Sequence, residues 1–529
     1  MHFRLIVIDT TFVISAGCVC ARRKGAFEMP ESYTPNPTHR RKRRPRWQRA
    51  LRHYWPLIRL ILILLVCVIL IIFTVRAFTR SLDSAAQTPG STTGDQSGDA
   101  PSDGEQPAEG EGQQPETPPA QATTEEADAL IQKADFVAAG YDYQGAIELL
   151  QGLAGYESIQ SVTDKIAEYQ EKDSQLSVYQ EMSGITHIFF HSLVVDNSRA
   201  FDGDAHEKGY NLYMTTIPEF KAILESLYER GYVLVTPYDV AGEVTDENGT
   251  HFAYREIRLP EGKTPFMMSQ DDVNYYGYMV GAADGSGDTP VFATPQGDGF
   301  ADKIVIGEDG YPTCEYMDAD GNVTTGDYDL IPILERFIQE HPDFSYHGAR
   351  AVIAFTGYEG VMGYRTKPAY EAAMGTEAYQ QEVENAKAVA QCLRDHGWIL
   401  ASHSYGHPSY TEISAADVEI DSDKWENTVE TIIGEVDILI YPHGGEIAGM
   451  EKYDFSNAKF SALYEDGFRY FFNVDNAVAW HQMGDNYFRG NRRDLDGYRM
   501  YHYPDSMNDL IDARAILDPD RPLPVPDIG

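Results

Sequence analysis

Cysteine is scarce in this chain of 529 residues, which contains five. Only two of them, Cys314 and Cys392, lie beyond residue 80. Two thiols cannot form the disulfide framework that holds many small secreted domains together. The sequence therefore predicts no such framework, and it leaves open whether these two cysteines form one bridge or stay unpaired.

Positive charge is also scarce outside the N-terminus. The formal net charge is −40, but residues 1–80 contain 15 Lys and Arg against three acids, which leaves −52 for the remaining 449 residues. A body this acidic repels phosphates, which argues against nucleic acid as the main ligand. A Gly-x-x-x-x-Gly-Lys phosphate loop is absent from the glycine-rich stretch 357–365. We interpret that stretch as a cleft loop, in which Tyr358, Tyr364 and Arg365 line a substrate site.

The N-terminus has a basic cluster followed by an apolar run. Residues 55–78 are interrupted by only two arginines and are long enough to cross a bilayer, which takes about 20 apolar residues. Basic flanks stay in the cytoplasm, so residues 1–54 are predicted to be a cytoplasmic tail of a single-pass cell-membrane protein whose C-terminal domain is extracellular. A signal peptide cleaved near residues 84–86 is the alternative, and translation could start at Met1 or Met29.

Large apolar residues are nearly absent from residues 79–124, which predicts a disordered linker. Residues 125–180 then show helical stripes of alanine and leucine that resemble one and a half tetratricopeptide-type repeats. Such repeats need several copies to be stable alone, so we expect a helical spacer packed on the main domain. The alternative is a segment that recruits a protein partner, and the sequence identifies no such partner.

The remaining residues, 183–529, alternate strand-like and helix-like segments. This order predicts an α/β fold in which helices cover parallel strands. Residues 277–327, with several Asp-Gly pairs, predict hairpins instead. The strand-like segments are residues 185–190, 232–235, 266–268, 351–355, 398–401, 437–441 and 468–474. In parallel sheets, functional side chains gather where the strands end.

Candidate metal ligands follow two of these strands. His403 and His407 lie four residues apart after one strand, and Asp271 and Asp272 directly follow another. Two imidazoles and one carboxylate hold a divalent metal, preferably zinc, while leaving a position open for water. Adjacent residues of an extended backbone point to opposite sides, so one aspartate can bind the metal while its neighbour accepts a proton.

These motifs resemble those of the polysaccharide deacetylases, carbohydrate esterase family 4. SHSYGH (402–407) resembles the family's H(S/T)xxH motif, MMSQDDV (267–273) its Thr-Phe-Asp-Asp-Gly motif, and IYPHGG (440–445) its Arg-x-Pro-Tyr-Gly motif. The resemblance implies a distorted (β/α) barrel. It also implies that Asp271 is the general base, that the main-chain N–H of His443 is an oxyanion donor, and that Tyr441 and Pro442 contact substrate. The implied metal ligands are Asp272, His403 and His407.

The sequence departs from the family pattern at several positions. Ile440 occupies the position of the arginine that would hold the base, and the Leu-x-x-His motif that supplies the general acid has no clean copy. His191, His443 and His481 are possible substitutes, and Asp475 aligns loosely with the carboxylate of a fourth motif. The basic, aromatic stretch 486–493 is interpreted either as a surface patch paired with acids or as a substrate contact.

The sequence thus predicts a membrane-anchored, metal-dependent hydrolase that removes N-acetyl groups from an amino-sugar polysaccharide of the cell envelope or matrix. The alternative is a non-catalytic polysaccharide-binding protein of the same fold, because the arginine and the last histidine are missing. An N-acetylated polymer, a divalent metal and the membrane are the expected partners, and nucleic acid is not.

Overall fold

The computed structural model describes residues 123–247, 249–281, 287–475 and 477–528. The predicted cytoplasmic tail (1–54), the predicted span (55–78) and nearly all of the predicted linker (79–124) lie outside the described residues. Among the helices of the described part, none is long and apolar enough to cross a membrane.

From residue 123 onward, where the description begins, three helices precede the main domain: α1 (Thr124–Ala139), α2 (Tyr143–Gln151) and α3 (Gln160–Ser174). The hydroxyl of Thr123 accepts a hydrogen bond from the main-chain N–H of Glu126, which fixes the start of α1. Buried alanines let these helices approach closely. The segment is joined to the main domain because the Tyr141 hydroxyl donates to the Asp343 carbonyl at 2.8 Å and Arg258 pairs with Asp173 at 2.9 Å.

Seven parallel strands form a closed ring in the main domain. Each hydrogen-bonds to the next along the chain, and the seventh pairs with the first through Arg493 opposite Ile188 and Asp494 opposite Phe189. The strands are β1 (His187–Phe190), β2 (Thr264–Gln270), β3 (Val352–Phe355), β4 (Ile399–Ser402), β5 (Ile438–Ile440), β6 (Tyr470–Val474) and β7 (Phe488–Asp494). This closed parallel ring with helices around it fits the predicted (β/α) barrel.

Side chains along each strand alternate between two buried clusters. On β5, Ile438 and Ile440 join the cluster that includes Ala401 and Phe472. Leu439 joins the larger cluster to which the helices contribute. This two-residue period places the first cluster inside the ring and the second between the ring and its helices. Asp271, directly after β2, has the same parity as Met267 and is therefore directed toward the interior.

Five longer helices accompany the ring: α4 (Ile217–Glu229), α5 (Leu330–Glu340), α6 (Thr376–Asp395), α7 (Ala415–Thr428) and α8 (Ala458–Glu465). Shorter α-helices are Asn197–Ala200, Glu207–Tyr213, Pro237–Val240, Gly277–Val280, Glu371–Met374, Glu430–Ile433, Gly497–His502 and Ala513–Ile516. They connect the longer elements.

The remaining strands lie outside the ring. Tyr232–Leu234 runs parallel to the start of β2, and His481–Met483 pairs antiparallel with β7. Smaller sheets pair Ala241–Asp246 with Gly249–Tyr254 and Ser177–Val178 with Arg258–Leu259.

The hairpins predicted over residues 277–327 are only partly present. Lys303–Ile306, Pro312–Met317 and Val323–Gly326 form an antiparallel sheet. Gly277–Val280 is a short helix instead, and residues 287–302 contain no strand. The Asp-Gly pairs of this segment therefore predicted more hairpins than the structure has.

Candidate metal centre and active site

Three predicted ligands converge at the end of the ring where the strands finish. The Nε2 atoms of His407 and His403 lie 3.2 Å apart. Oδ2 of Asp272 lies 3.5 Å from the first and 3.8 Å from the second. Ligands about 2.1 Å from one tetrahedral ion are about 3.4 Å from each other. The three side chains therefore fit a divalent metal centre.

The tautomer of His403 is fixed by the main chain of β5. Its Nδ1 lies 2.9 Å from the carbonyl oxygen of Ile440. A carbonyl can only accept, so Nδ1 carries the hydrogen and Nε2 keeps its lone pair toward the cluster. The ring is almost completely buried. Ile440 thus contributes its carbonyl to the orientation of a candidate metal ligand.

The backbone at the mouth of the barrel is sharply turned. Asp272, Ser404, His407 and His443 all have positive φ angles, between 56° and 65°. Residues with a Cβ enter this left-handed region at a cost, and such strain is concentrated at functional sites. The turn between the two histidines is closed by the Ser404 hydroxyl, which accepts from the His407 N–H at 2.9 Å. This turn brings the imidazole of His407 back against that of His403.

Tyr276 holds the other oxygen of Asp272. Its hydroxyl donates to Oδ1 at 2.5 Å, so Oδ2 remains directed toward the histidines. Burial disfavours the charged carboxylate, but the His407 and His403 rings and the Tyr276 hydrogen bond outweigh this and lower the pKa of Asp272 to about 2. The carboxylate is therefore ionised at neutral pH, as a metal ligand must be.

Arg492 holds the carboxylate of Asp271. Its two terminal nitrogens donate to the two carboxylate oxygens at 2.7 and 2.8 Å, and neither side chain is more than 3 % exposed. Burial acts against ionisation, but Arg492 and His403 lower the pKa of Asp271 below its usual value. Oδ2 of Asp271 lies 4.0 Å from Nε2 of His403. Asp271 is thus an oriented, ionised carboxylate next to the metal centre.

Arg492 was missed because its strand is unusually polar. The stretch 486–493 was expected to be a surface patch or a substrate contact, but residues 488–494 form β7, and the side chains of Arg489 and Arg492 are at most 1 % exposed. The surface interpretation is therefore wrong. The sequence signal that could have identified the strand was the spacing of its arginines, which places Arg489 and Arg492 on opposite faces. In the structure Arg489 points to Glu446 outside the ring, and Arg492 points inward to Asp271.

The predicted substrate residues occupy different environments. Tyr441 is buried, with its hydroxyl accepting from that of Tyr453 at 3.2 Å, and Pro442 is buried beside it. His443 is exposed, and its ring lies 4.3 Å from that of His407. Of the three, His443 is the one that borders the mouth of the barrel.

Tyr364 and Arg365 do not reach the metal cluster. The Tyr364 hydroxyl donates to the carbonyl of Ile304 at 3.0 Å, and Arg365 donates to the carbonyls of Tyr275 and Val291. Both side chains are buried. In this structure they hold the glycine-rich loop to its neighbours instead of facing a cleft, so the predicted contact with substrate is not available to them.

Of the other candidates for proton transfer, only His191 lies near the two aspartates. Nε2 of His481 is bonded to the Ile185 carbonyl at 3.1 Å, and burial lowers the pKa of this histidine to about 4. His191 follows β1 and lies close enough to Asp271 and Asp272 to interact with them electrostatically. Asp475 accepts from Asn491 at 2.9 Å and from Trp480, which ties its loop to β7.

An open cavity of about 590 Å³ adjoins the cluster. It is lined by His407, Pro408, Ser409, Thr411, Glu412, Ile413, His443 and Gly445. Its volume falls within the usual range for small-molecule sites, roughly 300–1,000 Å³. The cavity is therefore bounded on one side by the candidate ligand His407 and by His443.

No protein-family model matches the chain, and no curated protein matches it. Among solved structures, the chain is similar to the Streptococcus pyogenes deacetylase PplD in complex with acetate, at 11% sequence identity and a TM-score of 0.30 over 59% of this chain and 92% of that one. A TM-score this low establishes neither fold nor activity, and no family membership follows from it.

Proposed function

We propose that the chain is a metal-dependent hydrolase that removes N-acetyl groups from an amino-sugar polysaccharide of the cell envelope or matrix. The observation that carries this proposal is the pairing of a three-ligand cluster with an ionised carboxylate held by Arg492, both next to an open cavity. Acyl transfer to water needs these two components, a site for a Lewis acid and an oriented base.

Each residue of the mouth has a distinct part in this mechanism. Asp272, His403 and His407 would hold the divalent ion, preferably zinc. When bound, the ion supplies Lewis-acid chemistry that polarises the amide carbonyl and acidifies water. Asp271 accepts a proton from the attacking water, and Arg492 keeps its carboxylate ionised and oriented. The main-chain N–H of His443 donates to the oxygen on which negative charge develops.

The chemistry of the cavity and the charge of the chain favour a neutral sugar polymer. Ser409, Thr411 and Glu412 supply groups that hydrogen-bond to hydroxyls. The body of the chain is strongly acidic, so it repels polyanions, whereas each deacetylation would create an amine that it attracts. A membrane anchor at residues 55–78 would hold this activity at the cell surface.

The full-length chain is expected to release acetate from N-acetylated hexosamine oligomers. A chelator should abolish release, and added Zn²⁺ should restore it, because the three-ligand cluster would bind the ion reversibly. Acetate is measured with an enzyme-coupled assay, and boiled protein with the same metal is the control. No acetate from any oligomer under several divalent metals would contradict the proposal.

The second candidate function is polysaccharide binding without catalysis. It is favoured by one observation, that the sequence has no clean copy of the Leu-x-x-His motif, whose histidine would supply the general acid. Binding of the polymers in a sedimentation assay, with no acetate release under any metal, would support this alternative.

His443→Asn is expected to leave kcat for acetate release within about fivefold of wild type. The role assigned to His443 belongs to its main chain, and asparagine tolerates its left-handed φ of 56°. Steady-state kinetics on one oligomer test this expectation. A loss of kcat of about 100-fold or more would instead identify the imidazole as a proton donor and contradict the main-chain assignment.

A further inference from the structure

A second group of potential ligands lies away from the candidate metal centre described above. Asp204 and His206 lie in the segment that follows β1, and Asp298 lies in the segment before the three-stranded antiparallel sheet. Nδ1 of His206 is 3.1 Å from Oδ2 of Asp298 and 3.4 Å from Oδ2 of Asp204. The three atoms all lie within 4.8 Å of one another. Two segments far apart in sequence thus converge on one point.

The two oxygens of Asp204 have different surroundings. Oδ1 accepts from the main-chain N–H groups of His206 and Glu207 at 2.7 and 3.0 Å, which fixes the orientation of the carboxylate. Oδ2 is left facing His206. The Tyr210 hydroxyl likewise holds Asp298 by donating to its Oδ2 at 2.7 Å. Both carboxylates are therefore oriented by main-chain N–H groups or by a tyrosine hydroxyl, which are groups that do not bind the metal themselves.

The charge of this group is not balanced by a permanent cation. Among the ion pairs of the described residues, none brings a lysine or arginine to Asp204 or Asp298. Asp298 is also half-buried, with a side chain 15 % exposed. His206 is within hydrogen-bond distance of Asp298 at 3.1 Å, and the separations of 3.1 and 3.4 Å also match the spacing of ligands around one ion.

We propose that Asp204, His206 and Asp298 form a second divalent cation site. One imidazole nitrogen with two carboxylates suits zinc or manganese, whereas calcium and magnesium prefer oxygen ligands alone. The site does not depend on the proposed hydrolysis, because none of its residues belongs to the catalytic group.

The second site adjoins the first through a row of aromatic rings. The His206 ring lies 5.4 Å from that of Tyr278, which is stacked on Tyr276 at 5.7 Å. Tyr276 in turn donates to Asp272. A cation that joins Asp204 to Asp298 would therefore fix two loops beside the mouth of the barrel, and its role is to shape the substrate cleft.

Zn²⁺ titration of the metal-free, full-length chain tests this site. We expect His206→Ala and Asp298→Asn each to bind one equivalent fewer than wild type, by calorimetry and by elemental analysis after gel filtration. Asp272→Asn should also lose one equivalent, and Asp272→Asn with His206→Ala should lose two. The charge-matched control Asp320→Asn changes an exposed turn and should bind as wild type does. Titration with Ca²⁺ should give the same heat for His206→Ala as for wild type.

The side chain of His206 is 44 % exposed, so its removal should not disturb folding. Wild-type Zn²⁺ stoichiometry in both His206→Ala and Asp298→Asn would overturn the proposed second site. Loss of an equivalent in these two variants but not in Asp272→Asn would instead support the second site while contradicting the metal centre of the proposed hydrolase. The two hypotheses can therefore fail separately.

Discussion

Asp271→Asn is expected to lower kcat for acetate release by about 10²–10⁴-fold while the chain retains the metal at the Asp272 site. General base catalysis by an oriented side chain contributes a factor of this size. Asparagine has nearly the same shape but cannot accept the proton. Because Asp271 is not among the three converging ligands, the ion should still bind. The measurements are steady-state kinetics and metal content on the same preparation.

The adjacent Asp272→Asn is the matched comparison, because it makes the same chemical change one residue away. It should lose both the metal equivalent and acetate release, since Oδ2 of Asp272 faces both histidines. Unchanged acetate release in Asp271→Asn would refute the base assignment. Loss of the metal in Asp271→Asn would show that the two aspartates do not have separate roles.

Arg492→Met is expected to lower the free energy of unfolding by about 3–5 kcal/mol, because it leaves a buried carboxylate without its partner. The side chain of Arg492 is fully buried and that of Asp271 is 3 % exposed, so water cannot replace the lost interaction. Denaturant unfolding of the full-length chain measures the change. Combining Arg492→Met with Asp271→Asn should cost less than the sum of the single changes by at least about 1 kcal/mol.

Arg514→Met provides the control for this prediction. Arg514 pairs with Asp505 at 2.6 Å, nearly the same distance as in the Arg492 pair, but the two side chains are 61 % and 73 % exposed. An exposed pair of this kind is worth about 0–1 kcal/mol. Equal destabilisation by Arg492→Met and Arg514→Met would show that burial of the first pair has no energetic role.

The α/β class and six of the seven ring strands could be predicted from the sequence. Apolar segments such as Trp398–Ala401 are short, buried and followed by chemically active residues, which is typical of parallel strands. The seventh strand could not be predicted because its sequence, Phe-Arg-Gly-Asn-Arg-Arg-Asp, has the composition of a surface segment. Its arginines are buried only because distant carboxylates, Glu446 and Asp271, meet them in the folded chain.

The cluster of candidate metal ligands could be predicted because the spacing within each motif is local. His403 and His407 are four residues apart, and the Asp pair ends a strand, so motif and position agree. Arg492 lies 221 residues from Asp271, and no local pattern indicates that pairing. The motif places an arginine at position 440, which is an isoleucine in this sequence, and the structure shows that its carbonyl orients His403. A sequence motif cannot show that an arginine from a distant strand, Arg492, pairs with Asp271.

Tyr364 and Arg365 illustrate the opposite error. Their place in a glycine-rich loop after a strand is typical of a cleft, and their side chains are typical of sugar contacts. The loop instead folds back so that Arg365 donates to main-chain carbonyls. Residue type and loop position could not reveal this, because burial of an arginine depends on acceptors contributed by other segments.

Selection for heat resistance would act against the functional side chains at the mouth of this barrel. The reason is the left-handed backbone at Asp272, Ser404, His407 and His443. Each non-glycine residue in that region costs roughly 1–3 kcal/mol, which glycine would largely avoid. Laboratory evolution that rewards only a higher melting temperature would therefore tend to place glycine at these four positions and erase the imidazoles and the carboxylate. Thermal robustness and chemistry are thus opposed at the same few peptide units, and an engineering effort should hold those positions fixed.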